Sequence, residues 1–341
     1  MKIRNSVLFT ILFIVVISLF IFDIFIGSVN YSIEDIIQVF INSDGADGIV
    51  KTTIIDFRLP KAITAILVGI ALSISGLQMQ TIFRNPLAGP YVLGISSGAS
   101  LGVALVVLGL SPFITENSFS FIGNTSIVSA AILGSCAVLF LILLVSLRIK
   151  DIMTILILGI LFASATSAIV SILQYFSKET FLKAYVVWSM GSLADVTKSK
   201  LIYLIIFTII GIVLSILSAK TLNALLLGEI YAKSMGVNIS FSRSIIFIST
   251  GIMAGTVTAF CGPIGFIGII IPHISRMLFK SSNHFILIPG SILIGASVML
   301  LSDLISQLPG SGSNIPINSV TAIIGIPIVI WIIYRRKKIN I

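Results

Sequence analysis

The chain has 341 residues, of which 57% are apolar and only 10% are charged. Soluble domains carry about 25% charged residues, so the composition excludes a soluble enzyme or binding module and indicates a polytopic membrane protein. The formal net charge of +9 does not indicate a nucleic-acid partner, because the cations are distributed as membrane topology requires.

Ten stretches of the chain are long and apolar enough to cross a membrane, since a helical span needs about 20 mostly apolar residues. They leave room only for connectors, so we predict an all-α integral membrane protein, a ten-transmembrane-helix bundle in a single domain of residues 1–341. The predicted spans lie at about 6–27, 61–82, 91–110, 126–147, 152–174, 201–219, 243–261, loosely between 262 and 276, 285–305 and 316–334.

The Lys and Arg residues predict the orientation of these spans. Counted from a cytoplasmic N-terminus, 14 of the 21 lie on the inner side and the other 7 on the outer side. Basic residues in short loops favour the cytoplasm, so we expect a multi-pass protein of the cytoplasmic membrane with both termini inside. The inner cations include Lys150 and the cluster at 335–338.

Residues 28–60 form the longest polar connector. Ser32 to Asp35 have a capping-box-like pattern that predicts a short surface helix ending near Asn42, followed by a loop at 44–48. The second span is expected to begin near Lys61, with Pro60 in its first turn, where the missing N–H has no helical partner.

Several later segments do not read as plain spans. The connector 84–90 contains two prolines, which prevent one continuous helix. Residues 184–193 are too short to cross the membrane and too apolar for an ordinary loop, so we expect a re-entrant or outer-surface helix. Residues 262–268 are flexible and helix-poor, and outer loops are expected at 111–125 and 308–315.

The stretch 221–238 interrupts the apolar pattern between the sixth and seventh spans. Leu222, Leu225, Leu226 and Ile230 lie at i, i+3, i+4 and i+8, which predicts one apolar helix face. Gly228 and Gly236 interrupt or end the helix, the second as a C-terminal cap. We therefore predict two short helices that lie across the inner surface, with Glu229 and Lys233 at i, i+4.

Polar groups within the spans are few. Ionisable residues at membrane depth usually face protein or water, so we expect Asp303 and Gln80 to form interhelical hydrogen bonds. His273 has no second His at ligand spacing and is interpreted as a satisfied residue of the inner surface in preference to a proton relay or metal ligand. His284 is interpreted as a plain connector residue. We predict no metal site and no cofactor bound directly by the chain.

A polytopic protein can be a transport subunit driven by a separate ATPase, an ion-coupled secondary transporter or an intramembrane enzyme. The chain contains no Gly-Lys dipeptide and hence no Walker A loop, so it is not an ATPase and any ATP chemistry must lie on a partner. An ion-coupled secondary transporter would need paired carboxylates near the midplane, and the chain offers mainly Asp303, which is off-centre. An intramembrane enzyme would need a cluster of polar residues at depth, and none is apparent.

Ordered blocks from about residue 50 to residue 334 resemble the FecCD family, the permease subunits of binding-protein-dependent ABC importers for iron–siderophore complexes, haem and cobalamin. The matching blocks are Arg58-Leu59-Pro60-Lys61, Ser75-Gly76 with Gln80, Asn85-Pro86-Leu87-Ala88 with Pro90, Leu93-Gly94, Gly98-Ala99, Leu227-Gly228-Glu229 with Ala232 and Gly236, Gly262 to Gly268, Pro272-His273-Ile274 with Arg276, Asp303, Pro316, Thr321, Gly325-Ile326-Pro327 and Trp331.

The resemblance implies a type II ABC importer permease-like fold that acts as a homodimer, with two cytoplasmic ATPase subunits that bind the ATP and one external binding protein. The substrate it implies is an iron complex, a siderophore or haem, with cobalamin as the alternative. It also implies that residues 221–238 form the coupling helices that contact the ATPases. The coupling residues would be Leu227, Gly228, Glu229, Ala232, Lys233 and Gly236.

The resemblance implies three further sets of residues. Arg58 and Lys61 would be docking cations for the binding protein, although interfacial anchoring is an equal alternative, and a third cation of cobalamin-type members is Gln307 here. Ile152 and Met153 would form an inner gate, where cobalamin-type members carry small hydroxyl residues. The cytoplasmic-side motif comprises Arg84, Asn85, Pro86, Pro272, His273 and Arg276.

Overall fold

The computed structural model describes residues 2–27, 29, 31–41, 47–110, 124–149, 151–308 and 314–337. Within these ranges all regular structure is helical. The helices are α1 Lys2–Phe25, α2 Ile33–Ile41, α3 Gly48–Thr52, α4 Leu59–Ile82, α5 Ile95–Val107, α6 Asn124–Arg148, α7 Ile152–Phe176, α8 Glu179–Ser189, α9 Lys198–Leu217, α10 Ala219–Leu226, α11 Glu229–Ser234, α12 Ile239–Cys261, α13 Ile267–Phe279, α14 His284–Gln307 and α15 Ile317–Lys337. Most of the predicted loops 111–125 and 308–315, together with Lys150 and Lys338, lies outside the described residues.

The predicted ten-helix bundle is confirmed, with two kinds of helix. Seven described helices are long and apolar enough to cross a membrane, and three shorter apolar helices occupy the third, eighth and tenth predicted positions, at Ile95–Val107, Ile267–Phe279 and Ile317–Trp331. A 13-residue helix such as α5 or α13 rises about 20 Å, less than the roughly 30 Å of a hydrocarbon core. Irregular backbone therefore extends α5 and α13 at their N-terminal ends.

The second span begins earlier than the sequence predicts. Helical structure is continuous over 35 residues, Gly48–Ile82, and Asp47 caps its start by accepting from the Ile49 N–H at 2.9 Å. Pro60 was expected near the beginning of this helix because a proline cannot donate a helical hydrogen bond. Pro60 does lie in the first turn of α4, but a π-helical stretch, Thr53–Arg58, joins α4 to α3 without a break. The short helix predicted in the connector is α2, whereas the prediction of a connector from residue 48 to residue 60 is wrong.

The continuous helix ends in α4, which lies at the centre of the bundle and packs against α9, α12, α13 and α14. Two glycines on α4 permit the closest approaches. A Cβ added to Gly76 would overlap the carbonyl oxygen of Gly268, and one added to Gly69 would overlap that of Gly295. Small residues at helix interfaces allow such backbone contact in membranes, which places α4 directly against α13 and α14.

The predicted helix-poor segment before the eighth span is confirmed. Gly262 adopts φ +73° and Phe266 adopts φ +67°, and the Ile267 N–H donates to the carbonyl of Gly265 at 2.8 Å, which closes a γ-turn. The segment 184–193, expected to form a re-entrant or outer-surface helix, is helical only up to Ser189, where α8 ends. The chain after α8 bonds to this break, because the Ser192 N–H donates to the Cys261 carbonyl at 2.8 Å.

The two short helices predicted between the sixth and seventh spans are α10 and α11. Gly228 separates them with φ +119°, and Gly236 follows α11 with φ +83°. Residues that carry a Cβ rarely adopt these backbone angles, so glycine divides this segment as the sequence predicts. We refer to this side of the molecule as the α10–α11 end, which the charge distribution predicts to be cytoplasmic.

Candidate functional site

An apolar surface covers the outward side of α10 and α11. Ile230 is 89% exposed and Leu227 is 66% exposed, whereas Leu222 and Leu225 on α10 and Ala232 on α11 are buried. The prediction of a single apolar helix face through Leu222 and Ile230 is therefore wrong, because Gly228 turns the chain between them. The outward apolar residues form a surface suited to contact with another protein. They are Leu226, Leu227, Ile230, Tyr231 and Met235.

An ion pair fixes α11 to α12. Glu229 accepts a hydrogen bond from Nη2 of Arg243 at 2.5 Å, and the Arg243 side chain is 5% exposed. The sequence indicated Lys233 as the partner of Glu229, but the described salt bridge is to Arg243. A buried guanidinium that has lost its partner is costly, so this pair orients α11 on the bundle.

Arg84 connects the segment to α4. Its Nη2 donates to the carbonyl of Leu225 at the end of α10, at 3.1 Å. Arg84 itself adopts φ +47°, where the chain turns sharply after α4. The end of α10 is therefore held by the first residue of the 84–90 connector.

The other residues of the predicted cytoplasmic-side motif lie together. Oδ1 of Asn85 accepts from the Leu87 N–H at 3.0 Å, which stabilises a turn in the 84–90 connector. Nε2 of His273 on α13 donates to the carbonyl of Pro86 at 2.9 Å. This contact agrees with the interpretation of His273 as a satisfied residue. Pro272 lies inside α13.

Gln80 forms the predicted interhelical hydrogen bond. Its Nε2 donates to the carbonyl of Ile269 at 2.8 Å, and its Oε1 accepts from Arg276. One amide on α4 therefore bonds to both the backbone and a cation of α13. Together with the His273 contact, this fixes α13 to α4 at the α10–α11 end.

A cavity of about 600 Å³ opens beside α11. It is lined by the end of α6, by α11 and by the beginning of α12, and its charged lining residues are Glu229, Lys233 and Arg243. Gly236 also lines it, so four of the six predicted coupling residues lie either on the outward apolar surface or on this cavity. The remaining two differ, since Ala232 is buried and Gly228 is the turn.

The predicted gate residues begin α7. Ile152 packs against the apolar core at this end of the bundle, whereas Met153 is exposed. Asp151 precedes them and caps the helix by accepting from the N–H groups of Met153 and Thr154, at 3.2 and 3.0 Å. The hydrogen bond from the Thr154 hydroxyl is the main cause that lowers the pKa of Asp151, and the bonds from the two backbone N–H groups lower this pKa further. A gating role for Ile152 and Met153 stays a prediction.

At the opposite end of the bundle, Arg58 points inward. It is 8% exposed, and its Nη1 donates to the carbonyls of Ile24 and Phe25 at 2.9 and 3.0 Å. Its Nη2 donates to the carbonyl of Val29. These carbonyls lie at and just beyond the end of α1, so Arg58 caps that helix in this conformation.

Lys61 and Asp303 form a largely buried ion pair. Their Nζ–Oδ1 distance is 3.0 Å, and their side chains are 15% and 2% exposed. Nε2 of Gln307 donates to Asp303 at 3.0 Å and to Asp23 of α1 at 3.1 Å. The expectation that Asp303 bonds across helices is confirmed, and Gln307, at the position of the missing cation, connects two carboxylates.

One polar chain at the α10–α11 end gave no signal in the sequence. Asn223 of α10, His284 of α14 and Thr81 of α4 are hydrogen-bonded in series. His284 is 1% exposed, whereas its sequence position suggested a plain connector residue. Among the described residues, no group of three His, Cys, Asp or Glu side chains could hold a metal ion.

A family model and two relatives that match this chain all describe transport proteins. The model of the FecCD transport family matches residues 12–335. A candidate ABC transporter permease of Methanocaldococcus jannaschii is 33% identical, over 91% of each chain. The vitamin B12 import system permease BtuC of Escherichia coli is 35% identical, over 82% of this chain and 83% of that protein.

Two solved structures are similar. A candidate metal-chelate-type ABC transporter in an inward-facing conformation has a TM-score of 0.83 and 30% identity, covering 97% of this chain and 99% of that one. PsaBC from Streptococcus pneumoniae in complex with Fab has a TM-score of 0.52 and 17% identity, over 85% and 91% of the two chains, which is a likeness of fold alone.

Proposed function

Because the chain belongs to the FecCD transport family of ABC importer permeases, we propose that it carries an iron complex, a siderophore chelate or haem, across the cytoplasmic membrane. Two copies would enclose the pathway. ATP hydrolysis on two separate cytoplasmic subunits would drive the movement, and an external binding protein would deliver the substrate. In this proposal the chain itself is not an enzyme.

The observation that carries the proposal is the exposed apolar surface on α10 and α11. Ile230, 89% exposed, lies with the exposed side chains of Leu226, Leu227, Tyr231 and Met235 on short helices outside the ten spans. Clustered apolar side chains of this kind mark a surface for contact with another protein. A groove on a partner can receive an apolar helix face of this kind. We assign that partner as the ATPase, which makes this end cytoplasmic.

The contacts behind this surface support the transmission of force. The Glu229–Arg243 pair and the Arg84–Leu225 contact join the segment to α12 and α4, and α4 in turn packs on four other helices. A displacement of α11 by a partner would therefore reach the centre of the bundle. Packed elements move as units because protein interiors resist compression.

The docking proposal for Arg58 and Lys61 takes a specific form. Both cations already have partners within the chain, so binding-protein carboxylates would reach them only through two cavities. Lys61 lines both, of about 250 and 260 Å³, and Arg58 lines the first. Docking would then depend on electrostatic attraction between these two cations and the carboxylates of the binding protein. Complementary charge raises association rates and fixes register.

An iron complex is preferred over cobalamin for two reasons. The resemblance implies that cobalamin-type members carry small hydroxyl residues at the positions of Ile152 and Met153 and a third docking cation at the position of Gln307. Cobalamin remains the second candidate, because BtuC of Escherichia coli is 35% identical.

Competition uptake tests the substrate. Proteoliposomes that contain this chain and its ATPase are given a labelled ferric siderophore, bound to the binding protein, with excess unlabelled ferric siderophore, haem or cobalamin. We expect an iron complex to compete and cobalamin to leave uptake unchanged. Labelled cobalamin is given in parallel to the same proteoliposomes. Uptake of labelled cobalamin without uptake of the ferric siderophore would assign the second candidate, and a lack of uptake of both labels would refute the proposal.

A further inference from the structure

A buried hydrogen-bond chain joins α10 to the central helix α4 through α14. Nδ1 of His284 lies 2.8 Å from Oδ1 of Asn223, and Nε2 lies 2.9 Å from Oγ1 of Thr81. Thr81 and His284 are 4% and 1% exposed. The three residues come from three helices that pack against one another at the α10–α11 end.

The orientation of the Asn223 amide follows from its neighbours. Oδ1 of Asn283 accepts from the Phe285 N–H at 3.0 Å, and this bond caps α14. Nδ2 of Asn223 donates to the same Oδ1 at 2.9 Å. The other atom of the amide, Oδ1, therefore faces His284, whose backbone N–H donates to it at 2.8 Å.

This orientation determines the state of the imidazole. An amide oxygen can only accept, so Nδ1 of His284 must carry a proton. In the neutral ring Nε2 then accepts from the Thr81 hydroxyl, and in the charged ring Nε2 donates to it while Thr81 donates to the Leu77 carbonyl at 2.9 Å. Every group is satisfied in both states, so the chain from Asn223 to Thr81 is continuous in either.

We infer that His284 is a positioning residue for coupling, through which a displacement of α10 shifts α4. Asn223 would move with the segment that meets the ATPase, and Thr81 lies in the last turn of α4, which ends at Ile82. Hydrogen bonds between buried polar groups are strong and directional, so they hold three helices in one register. This inference rests on the proposed function and extends it to residues outside the coupling surface.

The test measures the number of substrate molecules transported per ATP hydrolysed by the reconstituted importer. Thr81→Val removes the hydroxyl without changing the shape of the side chain, and Thr81→Ser retains it. The matched control is Thr64→Val, because Thr64 is also buried on α4 and donates to the carbonyl four residues earlier, at 2.7 Å. Thr64 lies toward the other end of that helix.

We expect Thr81→Val to lower this ratio about fivefold, the factor that the loss of one hydrogen bond of ordinary strength produces, while Thr81→Ser and Thr64→Val keep it. A purely structural role would lower the yield or Tm without changing the ratio. Equal ratios for Thr81→Val and Thr64→Val would overturn the inference.

A second variant removes the other partner of His284. If Thr81→Val does not assemble with the ATPase, Asn223→Ala is measured instead. The same fall in ratio is expected, and an unchanged ratio would overturn the inference. A wild-type protein without ATP-dependent uptake would be a separate result, since it refutes the proposed function itself.

Discussion

Arg58 closes the C-terminal end of α1, because its Nη1 donates to the carbonyl oxygen of Ile24 at 2.9 Å. The last carbonyls of a helix have no partner within it, and a planar guanidinium can bind several of them at once. The same residue was expected from the sequence to be a docking cation. A substitution that keeps the charge and removes the planar fork distinguishes these two roles.

Arg58→Lys should lower the Tm of the purified protein by several degrees. The lysine keeps the positive charge but cannot reach three carbonyls, and hydrogen bonds to charged groups contribute about 1.5–3 kcal/mol each. Thermal unfolding followed by tryptophan fluorescence measures the change. An unchanged Tm would show that Arg58 does not cap α1. Because the charge is kept, a docking role predicts unchanged affinity for the binding protein at low salt, which Arg58→Gln should then lower.

The Lys61–Asp303 pair gives a second prediction. Lys61→Met should destabilise the protein by about 3–5 kcal/mol, because it leaves the Asp303 carboxylate buried without its cation. The double variant Lys61→Met/Asp303→Leu should recover most of this loss, since apolar residues can replace a buried ion pair. Chemical denaturation in detergent compares the three proteins. A double variant no more stable than the single one would contradict the pairing.

The double variant also tests docking by Lys61. It restores the packing but lacks the cation, so its association with the binding protein should slow at low salt if Lys61 steers that encounter. The matched control is Asp303→Leu, which lacks the carboxylate but keeps the cation. Equal association rates for this variant and the double variant would show that Lys61 serves the fold alone.

Charge reversal at Glu229 should uncouple ATP hydrolysis from transport. In the wild type the Glu229 carboxylate lies 2.5 Å from Nη2 of Arg243. Glu229→Arg replaces this carboxylate with a second guanidinium, so α11 should leave its position while the ten spans still insert. The swap Glu229→Arg/Arg243→Glu should recover part of the uptake. Substrate-stimulated ATPase activity and uptake measure both effects, and wild-type values for Glu229→Arg would exclude this role.

Two glycines on one continuous helix give a matched pair. Gly76→Ala should prevent stable folding, because the added Cβ would overlap the carbonyl of Gly268, whereas an added Cβ on Gly48 has nothing within 4 Å. Gly48→Ala should therefore be neutral or slightly stabilising, as alanine favours helix. Yield and Tm after purification provide the comparison, and equal behaviour of the two variants would contradict the packing of α4 on α13.

The sequence predicted what depends on local pattern. Hydropathy located the ten membrane helices. Gly228 separates α10 from α11 and Gly236 follows α11, because few other residues adopt their φ angles. The start of the second span was missed, since Pro60 is an ordinary sign of a helix boundary and a π-helical stretch that accommodates it has no clear pattern.

Contacts between distant segments were not predictable in the same way. Hydropathy indicates the depth of a residue in the membrane but not its neighbours. The sequence therefore could not predict that Glu229 pairs with Arg243 or that Arg58 bonds to the carbonyl of Ile24. His284 looked like a connector residue because it directly precedes an apolar run, and only the packing of α10 against α14 buries it.

The most direct test of the account is whether uptake requires ATP. The initial rate of uptake of a labelled iron complex is measured in proteoliposomes with the binding protein on one side and ATP on the other. The account predicts uptake that stops when either the ATPase or the binding protein is left out, and that continues when ion gradients are collapsed. Uptake without the ATPase that stops when the gradients are collapsed would contradict it.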